Sequence, residues 1–166
     1  MTIPIRPATR EDASDVSRIY VESWSAGFGD LMPPPVHDDE RIEHWAADLA
    51  AGGPVHWWVA EHDGRIAGFV GIGPSRDPVE TGLGELDTIA VDPAYWRAGV
   101  GRALMATALE GLSRAGYRRA ILWTVARYER GRGFYQAHGW RRDETLTRDD
   151  GRQIAFRHDL PSPGEG

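Results

Sequence analysis

The sequence predicts an α+β fold, a mixed and largely antiparallel sheet of six to seven strands with helices on both faces. Three observations predict it. The hydrophobic period changes along the chain in the order β, α, α, β, β, β, α, β, α, β, β. Asp63-Gly64 and Asp149-Asp150-Gly151 stand between strand-like runs as hairpin signals. A helical run over 99–115 separates two further strand-like runs and so supplies a crossover. Hairpins mixed with crossovers require a mixed sheet, and a regular doubly wound fold would alternate more strictly.

The elements follow in order. Ile3-Pro4-Ile5-Arg6-Pro7 reads as a short edge strand, where its prolines are tolerable. Thr9 and Asp12 form a variant of the capping box, and Val16, Ile19, Tyr20 and Ser23 recur at helical spacing, so a helix is expected over 10–25. Gly27 to Pro35 ends in three prolines and reads as a loop. Asp38 and Asp39 cap a second helix, apolar at Ile42, Trp45, Ala46 and Leu49 and stopped by Gly52-Gly53-Pro54. Strands are expected over 55–61, 65–71 and 84–91, the last closed by Asp92-Pro93. After the 99–115 helix come a strand over 119–124, a helix over 129–138 and a terminal hairpin of 140–147 with 153–160. Trp57 and Trp58 point to opposite faces of their strand and are both expected in the core. With no repeat and no dividing linker, residues 1–160 are expected to form one domain, followed by a disordered tail over 161–166.

Composition excludes several classes of function. The chain has 166 residues, 41% of them hydrophobic and 27% charged, as expected of a globular protein with a sizeable core. No apolar run approaches the ~20 residues of a membrane helix, and the start lacks the layout of a signal peptide, so a cytoplasmic protein is expected. The absence of cysteine removes disulfides, thiolate metal sites and cysteine nucleophiles. A net charge of −6 argues against bulk nucleic-acid binding. The six histidines show no paired ligand spacing, so no metal is expected.

Chemistry is most legible in DPAYWRAGVGRALM, where Gly99 and Gly101 open a helix directly after a strand. Orphan N–H groups at a helix start favour an anion, and glycine lets a phosphate approach the main chain. Arg97 and Arg102 flank the turn. A tight turn with no ligand is the plain alternative. A dinucleotide site would require a small residue at Leu104, and a Walker loop would require Gly-Lys-Ser/Thr; neither is met.

The stretch GELDTIAVDPAYWRAGVGRALM resembles the core motif of the Gcn5-related N-acetyltransferases (GNAT superfamily), a strand, a V-x-P turn and a Gly-x-Gly helix start. LWTVARYERGRGFYQAHGW is similar to the family's next motif, and IRPATREDASDVSRIYVESWSAGFGDLMP to its first strand and helix. The resemblance covers Ile3 to Leu160. Trp96 stands where the family has Gln or Arg, and Tyr128 where it has Asn.

The resemblance implies a GNAT-like fold and transfer of an acetyl group from acetyl-CoA to a primary amine by direct attack. It places the cofactor at the main chain of Ile89, Ala90 and Val91 and of Arg97, Ala98, Gly99, Val100, Gly101 and Arg102, with an oxyanion donor near Ile89. As side chains, Ile89 and Val91 are expected to be core. Glu85 and Asp87, two apart on one strand and so on one face, are the candidate bases, Glu85 first; a salt bridge is the alternative for both. Tyr135 matches the family's general acid, against the alternative of a packed aromatic. Trp24, Phe28, Leu31 and Met32 would wall the acceptor, with Asp87 beside them, unless they are ordinary packing. The acceptor is a small-molecule amine or a peptide amine, no nucleic acid or membrane partner is expected, and a homodimer is the default assembly. A noncatalytic acyl-CoA-binding module is the alternative from another class.

Overall fold

The computed structural model describes residues 2–29, 33, 35–76 and 80–161. Leu31, Met32 and the tail beyond Pro161 lie outside the described residues. Seven strands form one mixed sheet in the order β1-β2-β3-β4-β5-β7-β6: β1 Ile5–Pro7, β2 His56–His62, β3 Arg65–Pro74, β4 Leu83–Val91, β5 Arg119–Val125, β6 Arg141–Arg148 and β7 Gln153–Asp159. The helices are α1 Ala13–Phe28, α2 Asp39–Ala50, α3 Val100–Arg114 and α4 Glu129–Ala137. By packing, the chain divides into two compact units, Met1–Gly71 with Thr88–Thr107 and Ile72–Asp87 with Ala108–Gly166.

In the first unit β1 is an edge strand, antiparallel to β2 from Ile5↔Ala60 to Pro7↔Trp58. Asp63 (φ 52°) and Gly64 (φ 72°) both take left-handed backbone, as a two-residue hairpin turn of the primed type requires. The capping box forms a separate 3-10 turn, Arg10–Asp12, with the Thr9 N–H donating to Asp12 at 2.8 Å. The first helix therefore starts at Ala13, and it runs on through Gly27 to Phe28, past the expected end. Asp38 caps α2 by accepting from the Arg41 N–H at 2.9 Å.

Val16 and Ile19 of α1 pack with Trp45 and Leu49 of α2 on Val59 of β2 and Phe69 of β3. Gly68 points the other way: a Cβ there would meet Leu104 at 2.9 Å and Val100 at 3.1 Å, so α3 covers that face. Helices thus lie on both faces of this unit. Trp57 joins the core, against Trp45 at 5.3 Å between ring centroids. Both tryptophans are half-buried; Trp58, turned to the opposite face by alternation, stacks on His56 instead of packing on this core.

In the second unit the parallel ladder of β4 with β5 runs from Leu83↔Arg119 to Glu85↔Ile121. β5 meanwhile pairs antiparallel with β7 along its whole length, from Arg119↔Asp159 to Val125↔Gln153. The β6–β7 hairpin returns so that β7 lies between β5 and β6, with a register shift between Asp143 and Thr147. Leu83, Ile121 and Ala155 form the core of one face with Trp123 and Leu146 beside them. On the other face a Cβ at Gly84 would meet Leu112 at 2.7 Å and Tyr117 at 2.8 Å.

Candidate functional site

β4 ends in a turn built by its own polar groups. The Asp92 N–H donates to the Ala67 carbonyl at 2.8 Å, and Asp92 Oδ1 accepts from the Ala94 N–H at 3.0 Å. That cap starts the 3-10 turn Pro93–Tyr95. Trp96 then donates its indole N–H to the Val91 carbonyl at 2.9 Å, folding the loop back on the strand that precedes it. Arg97 (φ 69°) and Gly99 (φ 88°) both take left-handed backbone; for a side chain as large as arginine that conformation costs about 1 kcal/mol.

The Gly99 carbonyl accepts from the Ala103 N–H at 3.1 Å and so caps α3. The N–H groups of Val100, Gly101 and Arg102 therefore precede any intrahelical partner. Arg97, Ala98, Gly99 and Arg102 are exposed around them. The two glycines have different causes. Gly99 is required by its positive φ, whereas Gly101 is helical, and its missing Cβ has no backbone explanation. Orphan N–H groups beside two exposed guanidinium groups fit a phosphate-bearing cofactor.

Ala90 belongs to the core, but Ile89 and Val91 on either side are half-buried rather than core. Trp24 and Phe28 lie one helical turn apart on α1 with ring centroids 4.8 Å apart, and Trp24 also touches Tyr20. The buried Trp24 Nε1 has no acceptor among the described residues.

The second unit holds the ionisable candidates. Glu85 is 8% exposed. Arg76, from the β3–β4 connection, brings its Nε to 3.8 Å from Glu85 Oε2 and pairs through its other arm with Asp87. One guanidinium touching both carboxylates agrees with their lying on one face. Sequence reasoning missed Arg76, since a residue in a connection carries no periodic signal.

Tyr135 lies on α4 with its ring 6.0 Å from Phe156 of β7 and 5.7 Å from Phe134. Burial raises the pKa of its phenol, and nearby Tyr128 adds in the same direction, so the hydroxyl stays protonated across the working range. Tyr128 packs its ring on Gly131, where a Cβ would lie 2.8 Å from the ring edge. The first unit therefore runs Ile89, Ala90 and Val91 at the end of β4 toward the loop of residues 97–102, with the Val91 carbonyl bonded to Trp96, and gathers Trp24 with Phe28. The second brings Glu85 and Asp87 together and holds Tyr135. β4 carries residues of both sets. Among the described residues no group of three or more His, Asp or Glu gathers as a metal would need, and no helix is long and apolar enough to cross a membrane.

A family model described as the acetyltransferase (GNAT) family matches residues 14–140. An uncharacterised N-acetyltransferase of Archaeoglobus fulgidus is 31% identical over 143 residues, which are 85% of this chain and 95% of the relative. An uncharacterised N-acetyltransferase of Bacillus subtilis is 28% identical over 128 residues, 74% of this chain and 72% of the relative. In fold, the chain is similar to the PaiA N-acetyltransferase of Thermoplasma acidophilum solved in complex with coenzyme A, with a TM-score of 0.73 at 18% identity over 96% of this chain and 100% of that one.

Proposed function

The chain belongs to the acetyltransferase (GNAT) family and is an acetyl-CoA-dependent N-acetyltransferase; from that premise we propose that it acetylates a cationic primary amine by direct attack, with Glu85 as the base and Tyr135 as the acid. The observation that carries this reading is the carboxylate pair of β4, buried Glu85 with Asp87 beside it on one face and one guanidinium against both. A net charge of −6 favours a cationic acceptor.

In this mechanism the main chain of residues 97–102 holds the pyrophosphate and that of Ile89, Ala90 and Val91 holds the pantetheine arm. A lysine-like amine with a pKa near ~10.4 arrives mostly protonated. Glu85 takes that proton through water, so that the nitrogen lone pair can form the C–N bond. A main-chain N–H near Ile89 stabilises the oxyanion while the C–S bond breaks. Tyr135 gives its proton to the departing thiolate, while the attacking nitrogen loses its second proton to solvent as the amide forms and solvent reprotonates the phenolate. Asp87 holds the ammonium near Glu85, and Trp24 with Phe28 walls the acceptor.

The acceptor is a small-molecule amine or the amine of a peptide. Residues 1–160 act as one catalytic domain in this reading, supported by a family match over 14–140 that includes parts of both units. A cytoplasmic homodimer is the working assembly, which sedimentation would measure. The decisive experiment is thiol release from acetyl-CoA across a library of amines, with Glu85→Gln as the control. Release with no amine in the library, or equal release by the variant, would overturn the proposal.

A further inference from the structure

Asp92 uses its two carboxylate oxygens for two different purposes. Oδ1 accepts from the Ala94 N–H and starts the turn that leads to Trp96. Oδ2 accepts from Arg18 of α1 at 3.0 Å. The Asp92 side chain is 11% exposed and that of Arg18 33%, so the pair is more sheltered than a surface ion pair. Arg18 is itself held by Glu22 at 3.1 Å and Asp15 at 3.7 Å on its own helix, which fixes it toward the turn. The pair links residues 74 positions apart. It has an electrostatic consequence as well: a bare Asp92 carboxylate would stand five residues before Arg97, at a turn whose proposed ligand is an anion.

We propose that Arg18 is a positioning residue for coenzyme A, acting through Asp92. It neutralises the carboxylate that would otherwise repel a pyrophosphate held at the N–H groups of residues 97–102. The inference rests on the reading that this turn holds the pyrophosphate.

The two substitutions at this pair differ in sign, which makes the proposal testable. Arg18→Gln leaves the Asp92 charge bare, whereas Asp92→Asn removes that charge and keeps the amide oxygen that caps Ala94. Calorimetry with coenzyme A should show Arg18→Gln weaker by roughly three- to tenfold, and Arg18→Lys close to the parent. The double variant Arg18→Gln/Asp92→Asn should regain most of the loss, and the loss in Arg18→Gln should shrink as salt is raised. In turnover, the KM for acetyl-CoA should rise while kcat holds. A purely structural pair predicts the opposite pattern, with the double variant at least as impaired as the single. Parental affinity in Arg18→Gln, or no recovery in the double variant, would overturn the proposal. If Arg18→Gln does not fold, Arg18→Lys against Arg18→Gln/Asp92→Asn carries the comparison, and a double variant weaker than Asp92→Asn alone overturns it. Gly101→Leu separates the premise: weak binding there with parental binding in Arg18→Gln overturns this inference alone, and parental binding in both overturns the phosphate-turn reading with it.

Discussion

The guanidinium Nε of Arg76 lies 3.8 Å from Oε2 of Glu85, so the proposed base already has a cation beside it. The same guanidinium pairs with Asp87. A carboxylate acts as a base only when ionised, and a nearby cation favours that form. Removing Arg76 should therefore move the acid limb of the pH–rate profile to higher pH. The move should be small, because Arg76 is largely exposed and its field is screened. Arg76→Gln assayed from pH 5 to 9 checks this; an unmoved limb would take the ion pair out of the chemistry.

If Glu85 relays the amine proton, Glu85→Gln should lower turnover on the order of 10²-fold near neutral pH. The loss should shrink as pH rises and the free amine becomes abundant. Asp87→Asn should raise the KM for the amine more than it lowers kcat. A Glu85→Gln profile parallel to the parent would pass the role to Asp87 or to solvent.

Gly101 gives the cleaner test of the phosphate turn. At Gly99 any side chain meets the strain of φ 88°, so a loss there would not separate fold from ligand. Gly101 is helical, and Gly101→Leu should favour α3 by up to about 1 kcal/mol through helix propensity. Coenzyme A affinity should nevertheless fall at least tenfold, a factor of about 1.4 kcal/mol. Opposite signs in melting temperature and calorimetry identify the ligand as the cause. A stabilised variant with parental affinity would leave only a turn.

These expectations show where the sequence was legible. Asp63-Gly64, the α3 start and the apolar face of α2 were readable because local backbone requirements and side-chain periodicity are written into nearby residues. The Glu85–Asp87 face was readable for the same reason. What escaped depends on distant partners. Nothing near β5 says that β7 will lie between it and β6, since that order is set by long-range pairing. Arg18 and Arg76 carry no signal in the sequence, and only the folded chain sets them beside Asp92, Glu85 and Asp87. Trp96 departed from the family pattern, and its bond to the Val91 carbonyl, which the sequence does not announce, gives that residue a structural role.

Acid stability should depend on Asp12. The buried carboxylate accepts from two Arg6 nitrogens at 2.9 Å and from the Thr9 N–H. Arg6 chiefly, then Thr9, hold its pKa below the ordinary value against burial. A depressed folded pKa means stability that is present above the unfolded value near ~3.9 and lost as pH falls through the folded one. Asp12→Asn should cost about 1–2 kcal/mol at pH 7 and flatten the stability curve below about pH 4. Chemical denaturation at pH 7, 4 and 3 measures both, and an equal acid loss in the variant would assign it to other carboxylates.

The last expectation concerns Tyr135. A departing thiolate has a parent pKa near the ~8.5 of cysteine, so it leaves unaided at some rate and an acid assists without being indispensable. A phenol suits that task only while protonated, and burial with Tyr128 nearby keeps the Tyr135 pKa above its ordinary value. The basic limb of the pH–rate profile should therefore not follow titration of Tyr135 below about pH 10. Tyr135→Phe keeps the ring against Phe156 and Phe134 and removes only the hydroxyl. Turnover should fall on the order of 10²-fold with coenzyme A affinity nearly unchanged. Gly131→Ala tests the support of that position, because a methyl group there pushes on the Tyr128 ring from 2.8 Å. It should lower kcat by less than Tyr135→Phe does, and adding it to Tyr135→Phe should cost little more, since both act on the same proton. Full additivity would mean that Tyr128 supports the helix and not the acid, and a Tyr135→Phe enzyme as fast as the parent would remove Tyr135 from the mechanism.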